Sequence, residues 1–158
     1  MEKKSILLKI KFLICIFLVI VLILIQFYNN NKLIISNQIN KEVYFSTFVK
    51  KGDILVFEWE HSFEHILWKE FYEITPDNEF KLFTIAVEGF GAGIPAEMDC
   101  TYRYEDGLIY MENIKGSSFK EFNWIHSQKQ LRKILLNNKE IISGEDLPER
   151  NKLRLQIK

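Results

Sequence analysis

The sequence predicts an all-β fold, a small antiparallel sandwich or barrel, preceded by one N-terminal transmembrane helix. The first observation is a series of short segments, rich in β-branched and aromatic residues, in which apolar and polar side chains alternate. The second is that turn-forming residues separate these segments at intervals of roughly 8 to 12 residues, a spacing typical of sandwiches and barrels. The third is one long apolar run near the N-terminus. The 158 residues suffice for one compact domain plus this appendage.

The apolar run predicts a membrane anchor. Phe12 to Ile25 contains 14 consecutive apolar residues, and the 23-residue stretch from Ile6 to Tyr28 adds only two lysines and one glutamine as strongly polar members. A helix of this length spans roughly 35 Å at about 1.5 Å per residue, whereas the hydrocarbon core of a bilayer is about 30 Å thick. We therefore predict an anchor over residues 1–30.

The surroundings of the run predict its orientation. Small residues that would mark a signal-peptide cleavage site are absent from Gln-Phe-Tyr-Asn at residues 26–29, so we expect an uncleaved anchor. Four lysines precede the run, and the positive-inside rule places them in the cytoplasm. The expected protein is a single-pass protein of the cell membrane with an extracytoplasmic C-terminal domain. Cys15 lies in the run, which leaves Cys100 without an intramolecular disulfide partner.

After the anchor, residues 31–42 are predicted to be a linker, with Leu33 to Ile35 as a candidate brief strand. Residues 43–158 are predicted to form the β domain. Its expected strands are Val43–Val49, Ile54–His61, Ile66–Ile74, Phe80–Val87, Cys100–Tyr104, Leu108–Ile114, Phe119–His126, Leu131–Leu136, Lys139–Ile142 and an alternating C-terminal stretch ending near Ile157.

The charge distribution disfavours a nucleic-acid partner. Basic and acidic side chains number 21 each, but after residue 28 the acidic ones outnumber the basic ones by three. No cluster of basic residues with interleaved aromatic residues occurs, and such a cluster is the usual sign of a nucleic-acid-binding face. The expected partners are a membrane and a protein within it.

His61 and Glu70 are the first candidates for chemistry. The alternation of Ile54–His61 and Ile66–Ile74 predicts a hairpin, and a turn centred near His65 and Ile66 would pair residue 61 with residue 70 on one face. Such a pair could orient a general base, ligate a metal or bind a polar ligand. It could equally be a structural pair that holds the register of the hairpin.

Ser62 and the other polar residues nearby raise two enzymatic alternatives. Ser62 beside His61 suggests a nucleophile and its base, but consecutive strand residues point to opposite faces, so the pair would need a bulge or a second histidine such as His126. A G-x-S-x-G nucleophile motif is absent. Zinc is the other alternative, although no recognised ligand spacing supports it and no cofactor is predicted. Its possible ligands are His61, Glu64, His65, Glu70 and His126.

The segment G-F-G-A-G-I-P contains three glycines and a proline, Gly89, Gly91, Gly93 and Pro95. Phosphate-binding loops are also rich in glycine, but they lead into a helix, and here a strand-like segment comes next. The segment therefore predicts a tight backbone passage with positive φ angles, packed closely against another segment or a ligand.

A four-residue pattern occurs twice. Trp59 to Ser62 and Trp124 to Ser127 both read W-x-H-S at the end of a predicted strand. Chance, shared turn chemistry or duplication could produce the repeat. Duplication would predict two related β halves with His61 and His126 at equivalent places.

Several of these motifs together resemble the bacterial family catalogued as domain of unknown function 1850. The resemblance covers roughly Lys41 to the C-terminus and rests on six motifs: G-D at 52–53, F-x-W-x-H-S-x-E at 57–64, W-x-E-x-Y at 68–72, G-A-G-I-P at 91–95 and, more loosely, W-x-H-S at 124–127 and L-P-x-x-x-x-L-x-L at 147–155. It implies a small exported or anchored protein associated with permeases of TRAP-type transporters of the TAXI class, without an established activity. The characteristic residues that it implies are His61, Ser62, Glu70, Gly91, Gly93 and Pro95.

The leading hypothesis is a membrane-anchored accessory or ligand-binding module of a TRAP-type solute transporter. Its candidate ligand-binding residues are His61, Ser62, Glu70, Gly91, Gly93, Pro95 and His126. One alternative is a hydrolase or metal-dependent enzyme that uses His61 and Glu70, with His65 as a further metal ligand. The other alternative is a purely structural or interaction domain.

Overall fold

The computed structural model describes residues 10–21, 31–91, 93–94, 98–116 and 118–158. The chain divides into two compact units, Met1–Asn30 and Asn31–Lys158. In the first unit, residues 10–21 are helical. Among the described residues, no helix combines the length and the apolar character that a membrane span requires. The remainder of the predicted span, residues 6–9 and 22–28, lies outside the described residues.

The second unit is built of antiparallel strands, which confirms the all-β prediction. The strands are β1 Asn31–Asn37, β2 Val43–Val49, β3 Ile54–Glu60, β4 Leu67–Ile74, β5 Phe80–Val87, β6 Thr101–Glu105, β7 Leu108–Glu112, β8 Ser118–Phe119, β9 Glu121–Ile125, β10 Leu131–Leu136, β11 Lys139–Ser143 and β12 Lys152–Ile157. A short 3₁₀ helix, Gly144–Asp146, comes after β11, and the Ser143 side chain caps it.

The strands form two sheets. The small sheet has the order β2-β1-β12-β9, and the large sheet has the order β11-β10-β3-β4-β5-β7-β6, with β8 added beside β5. Residues 31–37, the first part of the predicted linker, form an inner strand of the small sheet, paired with β2 and β12. Leu33 and Ile35 are fully buried. The apolar stretch around these two residues is short and has polar residues on both sides. The alternation therefore covered too few residues to indicate a full strand.

The two sheets pack face to face as a sandwich. Leu33 and Ile35 of the small sheet and Leu55 and Phe57 of the large sheet belong to one buried cluster. The Phe57 ring stacks on that of Phe122 in β9, with ring centroids 4.9 Å apart. Burial of this shared apolar face is the main stabilising contribution, since residues at alternate positions of each strand leave water together.

A second buried cluster covers the other part of the same face of the large sheet. Antiparallel pairing joins Trp68 to Val87 and Glu70 to Ile85, so all four side chains lie on one side. Ile85 and Val87 pack with Ile94, which belongs to the connection between β5 and β6. The face is thus covered by the small sheet at one end and by this connection at the other.

The hairpin of β3 and β4 has a different register from the predicted one. Glu70 pairs with Phe57, and Trp59 pairs with Trp68, so the predicted pairing of residues 61 and 70 is wrong. The His61 amide donates to the Ile66 carbonyl at 2.8 Å, which centres the turn earlier than expected. The shift is an even number of residues, so His61 and Glu70 keep the same face of the sheet.

Candidate functional site

A pocket of about 400 Å³ opens between the two covered parts of the large sheet. Strands β3 and β4 form its floor, β9 of the small sheet forms one wall, and Gly93 lies on the opposite side. Its aromatic lining consists of Trp59, Trp68, Phe122 and Trp124. Its polar lining consists of Glu60, His61, Ser62, Glu70, Asn123 and Gln130. Its size and mixed lining are typical of small-ligand sites.

Glu70 is the central polar group of the floor. The Trp59 indole Nε1 donates to Glu70 Oε2 at 3.2 Å, and the Tyr72 hydroxyl donates to the same oxygen at 3.1 Å. Burial raises the pKa of the Glu70 carboxyl, while the hydrogen bonds from Tyr72, Trp59 and Trp68 act in the opposite direction. Burial and the Glu70 charge also raise the pKa of the Tyr72 phenol. The phenol therefore keeps its proton and donates a hydrogen bond to the Glu70 carboxyl.

His61 lies at the edge of the pocket, at the start of the turn. Its ring stacks on that of Trp68, with centroids 5.7 Å apart and an interplanar angle of 21°. The backbone amide of Glu64 donates to His61 Nδ1 at 3.2 Å. Nδ1 is therefore the acceptor nitrogen of the ring in this arrangement. His61 and Glu70 line the same pocket but do not form the directly opposed pair expected from the sequence.

The hydrolase alternative gains no support from this geometry. Ser62 is exposed and lies in the turn, just beyond the end of β3. The nitrogen of His61 that could take up a proton, Nδ1, already accepts from the Glu64 amide. A base that activates a serine needs that lone pair free for the hydroxyl.

The proposed metal ligands are dispersed. His65 is exposed at the turn, with φ of 55°, and its Nδ1 lies 3.3 Å from Glu60 Oε1. Glu70 is bonded to neutral donors in the pocket. Within the part of the chain that the structure describes, no three His, Cys, Asp or Glu side chains are grouped closely enough to hold a metal ion.

The glycine segment approaches the hairpin as expected. A β-carbon added to Gly91 would lie 2.5 Å from Glu64 Oε1, so the segment packs against the turn of the hairpin. The expected positive φ is found at Gly93, with φ of +77°, and not at Gly89 or Gly91; Gly93 also lines the pocket. Gly89 has open space around it. Pro95 lies outside the described residues.

His126 is placed outside the pocket, directly behind its wall. The side chain is 1% exposed, its Nε2 lies 2.9 Å from the Gly144 carbonyl oxygen, and its Nδ1 accepts from Trp124 Nε1 at 3.3 Å. Burial lowers the pKa of the imidazole, so it is the neutral form, protonated on Nε2, that satisfies both partners. His126 thus positions Trp124, which does line the pocket.

Three lining residues, Phe122, Asn123 and Gln130, had no direct signal in the sequence. Phe122 and Trp124 share the inward face of β9, a pattern that indicates a buried strand face but not which cavity it lines. Gln130 comes from the turn before β10. Phe122 and Asn123 reach the pocket because β9, the edge strand of the small sheet, lies over β3 and β4, whereas Gln130 reaches it from the large sheet.

The sequence model of one protein family matches residues 55–142, which include the glycine segment and all of the hairpin except its first residue. That family is described as "Domain of unknown function (DUF1850)". This chain belongs to the DUF1850 family. The match extends over more than half of the chain and is narrower than the region of the motif resemblance. No curated protein and no solved structure matches the chain significantly.

Proposed function

We propose that the β unit of this DUF1850 protein binds a small molecule in the pocket between β3, β4 and β9. The observation that carries the proposal is the Glu70 carboxyl, held by Trp59 and Tyr72 at the floor of an open pocket with aromatic walls. Ligand sites typically combine apolar walls with a few well-oriented polar groups. Trp59 and Tyr72 already orient the Glu70 carboxyl in the absence of a ligand, which lowers the entropic cost of binding.

We further propose that the protein is anchored by Ile6 to Tyr28, with the β unit on the extracytoplasmic side, and that it serves as an accessory module of a TRAP-type transporter. The 14 apolar residues from Phe12 to Ile25 and the four lysines around their start support the anchor. The motif resemblance supports the transporter. Tethering would keep the binding module at a high local concentration beside its membrane partner.

Ligand binding can be tested through intrinsic fluorescence. All three tryptophans of the chain line the pocket, so a bound molecule changes the emission of every fluorophore of this type. We expect saturable quenching of the full-length protein by a ligand from a panel of small solutes. Saturation should disappear when Ser62 and Gly93 are both replaced by bulkier residues that fill the pocket. A panel that includes cationic, neutral and anionic solutes and never gives saturation would refute the proposed function.

The anchor and the partner need separate experiments. Membrane fractionation followed by alkaline extraction should leave the full-length protein in the membrane, and externally added protease should digest the β unit in spheroplasts. Purification of the anchored protein should recover a transporter permease. Normal solute uptake in a strain that lacks the gene would count against the transporter role and would leave ligand binding unaffected.

A further inference from the structure

We propose that the ligand of this pocket is an organic cation of the quaternary ammonium class, whose charge lies beside Glu70 and against the tryptophan walls. The inference rests on the proposed binding function and names the chemical class of the ligand. It is supported by three properties of the described pocket: its charge, the partners of its buried carboxyl and the composition of its walls.

The charge of the lining has one sign. Glu60 and Glu70 contribute carboxyl groups, and the described lining includes neither lysine nor arginine. Glu60 already has cationic or polar partners, since Arg132 Nη2 lies 3.2 Å from one of its oxygens and His65 lies 3.3 Å from the other. His61 Nδ1 accepts a hydrogen bond from the Glu64 amide. Of the two carboxyl groups in the described lining, Glu70 is therefore the one without a charged partner.

The partners of Glu70 are all neutral. Trp59 and Tyr72 donate to Oε2, and Trp68 contributes a further side-chain hydrogen bond. These donors stabilise a carboxylate but carry no positive charge. A buried carboxylate without a cationic partner is unfavourable, and it is neutralised either by a proton or by an external cation. Because Glu70 borders a pocket that opens to solvent, a ligand can supply that cation.

The walls suit a cation that is bulky and weakly hydrated. Three tryptophans and Phe122 line one small pocket. The negative face of an indole ring attracts ammonium groups, and cages of aromatic rings are the usual recognition site for quaternary ammonium compounds. One ring already stacks on Trp68 (His61) and one on Trp59 (Phe57), so a ligand would contact the remaining ring surface. The same rings and Glu70 repel a carboxylate ligand, which would have no cationic group to contact. Gln130 adds an amide that can bond a polar substituent of the ligand, whereas the Asn123 amide already bonds Glu121 and Arg154.

The experiment is a fluorescence titration of the full-length protein in detergent with three probes. Choline is the cation, dimethylbutanol is its neutral carbon isostere, and succinate is the anion. We expect choline to bind about tenfold more tightly than dimethylbutanol, because the two differ only in charge, and succinate not to bind. Glu70→Gln should weaken choline binding about tenfold and leave dimethylbutanol unchanged. Glu73→Gln, on the same strand and exposed, is the matched control and should leave both unchanged.

The outcomes separate the two proposals. If dimethylbutanol or succinate binds as tightly as choline, or if Glu70→Gln leaves choline affinity unchanged, the cationic ligand class is wrong and the binding function stands. If none of the three probes binds, the inference is wrong, and the wider panel of small solutes decides the binding function. The comparison of choline with dimethylbutanol needs only the wild-type protein. It therefore tests the inference even if Glu70→Gln does not fold.

Discussion

The two W-x-H-S segments have the same letters and opposite surroundings. In Trp59–Ser62, the histidine begins a turn at the mouth of the pocket, half-buried, and accepts one backbone hydrogen bond. In Trp124–Ser127, the histidine is 1% exposed, and both ring nitrogens are bonded. The first tryptophan donates to Glu70, and the second donates to His126 itself.

The difference comes from the path that the chain takes after each segment. After β3 the chain turns back at once into β4, so the backbone of His61 bonds within its own hairpin and its ring stays at the edge of the pocket. After β9 the His126 amide and carbonyl pair with Asn151 and Arg150, and the 3₁₀ helix places Gly144 over the ring. The equivalent places that duplication would predict for the two histidines are not observed, so that expectation is wrong. Identical short motifs acquire different roles when distant parts of the chain cover one and leave the other at a pocket.

The largest expected effect distinguishes the two histidines directly. His126→Ala should lower the free energy of unfolding by about 3 kcal/mol, because it creates a cavity and leaves the Trp124 indole and the Gly144 carbonyl unpaired. His61→Ala, the matched change at a half-buried site, should cost less than about 1 kcal/mol. Urea unfolding followed by tryptophan fluorescence measures both. Equal losses would remove the distinction between a structural and a pocket histidine.

The next largest loss of stability is expected at Gly144, whose carbonyl oxygen bonds the His126 ring. A β-carbon at Gly144 would lie 1.7 Å from the Leu131 carbonyl oxygen, a backbone atom that cannot move alone. Gly144→Ala should therefore displace the 3₁₀ helix and lower the free energy of unfolding by about 2 kcal/mol. Gly89→Ala, with open space around it, should change stability by less than about 0.5 kcal/mol. An unchanged unfolding free energy for Gly144→Ala in the same assay would mean that His126 does not need the 3₁₀ helix in its present position.

The pH dependence of stability is a smaller effect, and it should have opposite signs for Glu70 and His126. Burial raises the pKa of Glu70, so the folded state holds its proton more tightly, and the stability contributed by Glu70 is lost as pH rises from the unfolded value of about 4.3 through the raised pKa. Burial lowers the pKa of His126, so stability is lost as pH falls from about 6.5 through the lowered pKa.

Each contribution is isolated by subtracting a variant from the wild type. As pH rises in the acidic range, the unfolding free energy of the wild type should fall relative to that of Glu70→Gln. The difference between wild type and His126→Ala should become less favourable as pH falls below about 6.5. Slopes of the same sign for the two variants would contradict the assigned environments.

The smallest effect is expected for the third histidine. The His65 side chain is 72% exposed, and its ion pair with Glu60 is at the surface. Exposed pairs of this kind contribute about 0 to 1 kcal/mol, so His65→Ala should change the unfolding free energy by less than about 0.5 kcal/mol. It should also leave choline binding unchanged, because Glu60 keeps Arg132 as a partner. A large loss of choline binding in His65→Ala would instead mean that the turn between β3 and β4 is part of the binding site.

The candidate site was only partly predictable from the sequence. Alternation placed His61 and Glu70 on one face, and this assignment survives because the register differs from the expected one by an even number of residues. The register itself depends on the turn, where His65 adopts a left-handed conformation that is uncommon for residues other than glycine. Trp59, rather than His61, is consequently the residue that bonds Glu70.

By itself, the sequence determined the class of the β unit, the positions of most of its strands and the family to which the chain belongs. These are local properties, since alternation, turn residues and motif spacing act over a few neighbouring positions. The tertiary structure decided that β1 joins the small sheet, that β9 lies over β3 and β4, and that only one of two identical motifs borders a pocket. Those outcomes depend on contacts between residues far apart in the chain, and the free energy of such contacts is set by which apolar faces are buried together.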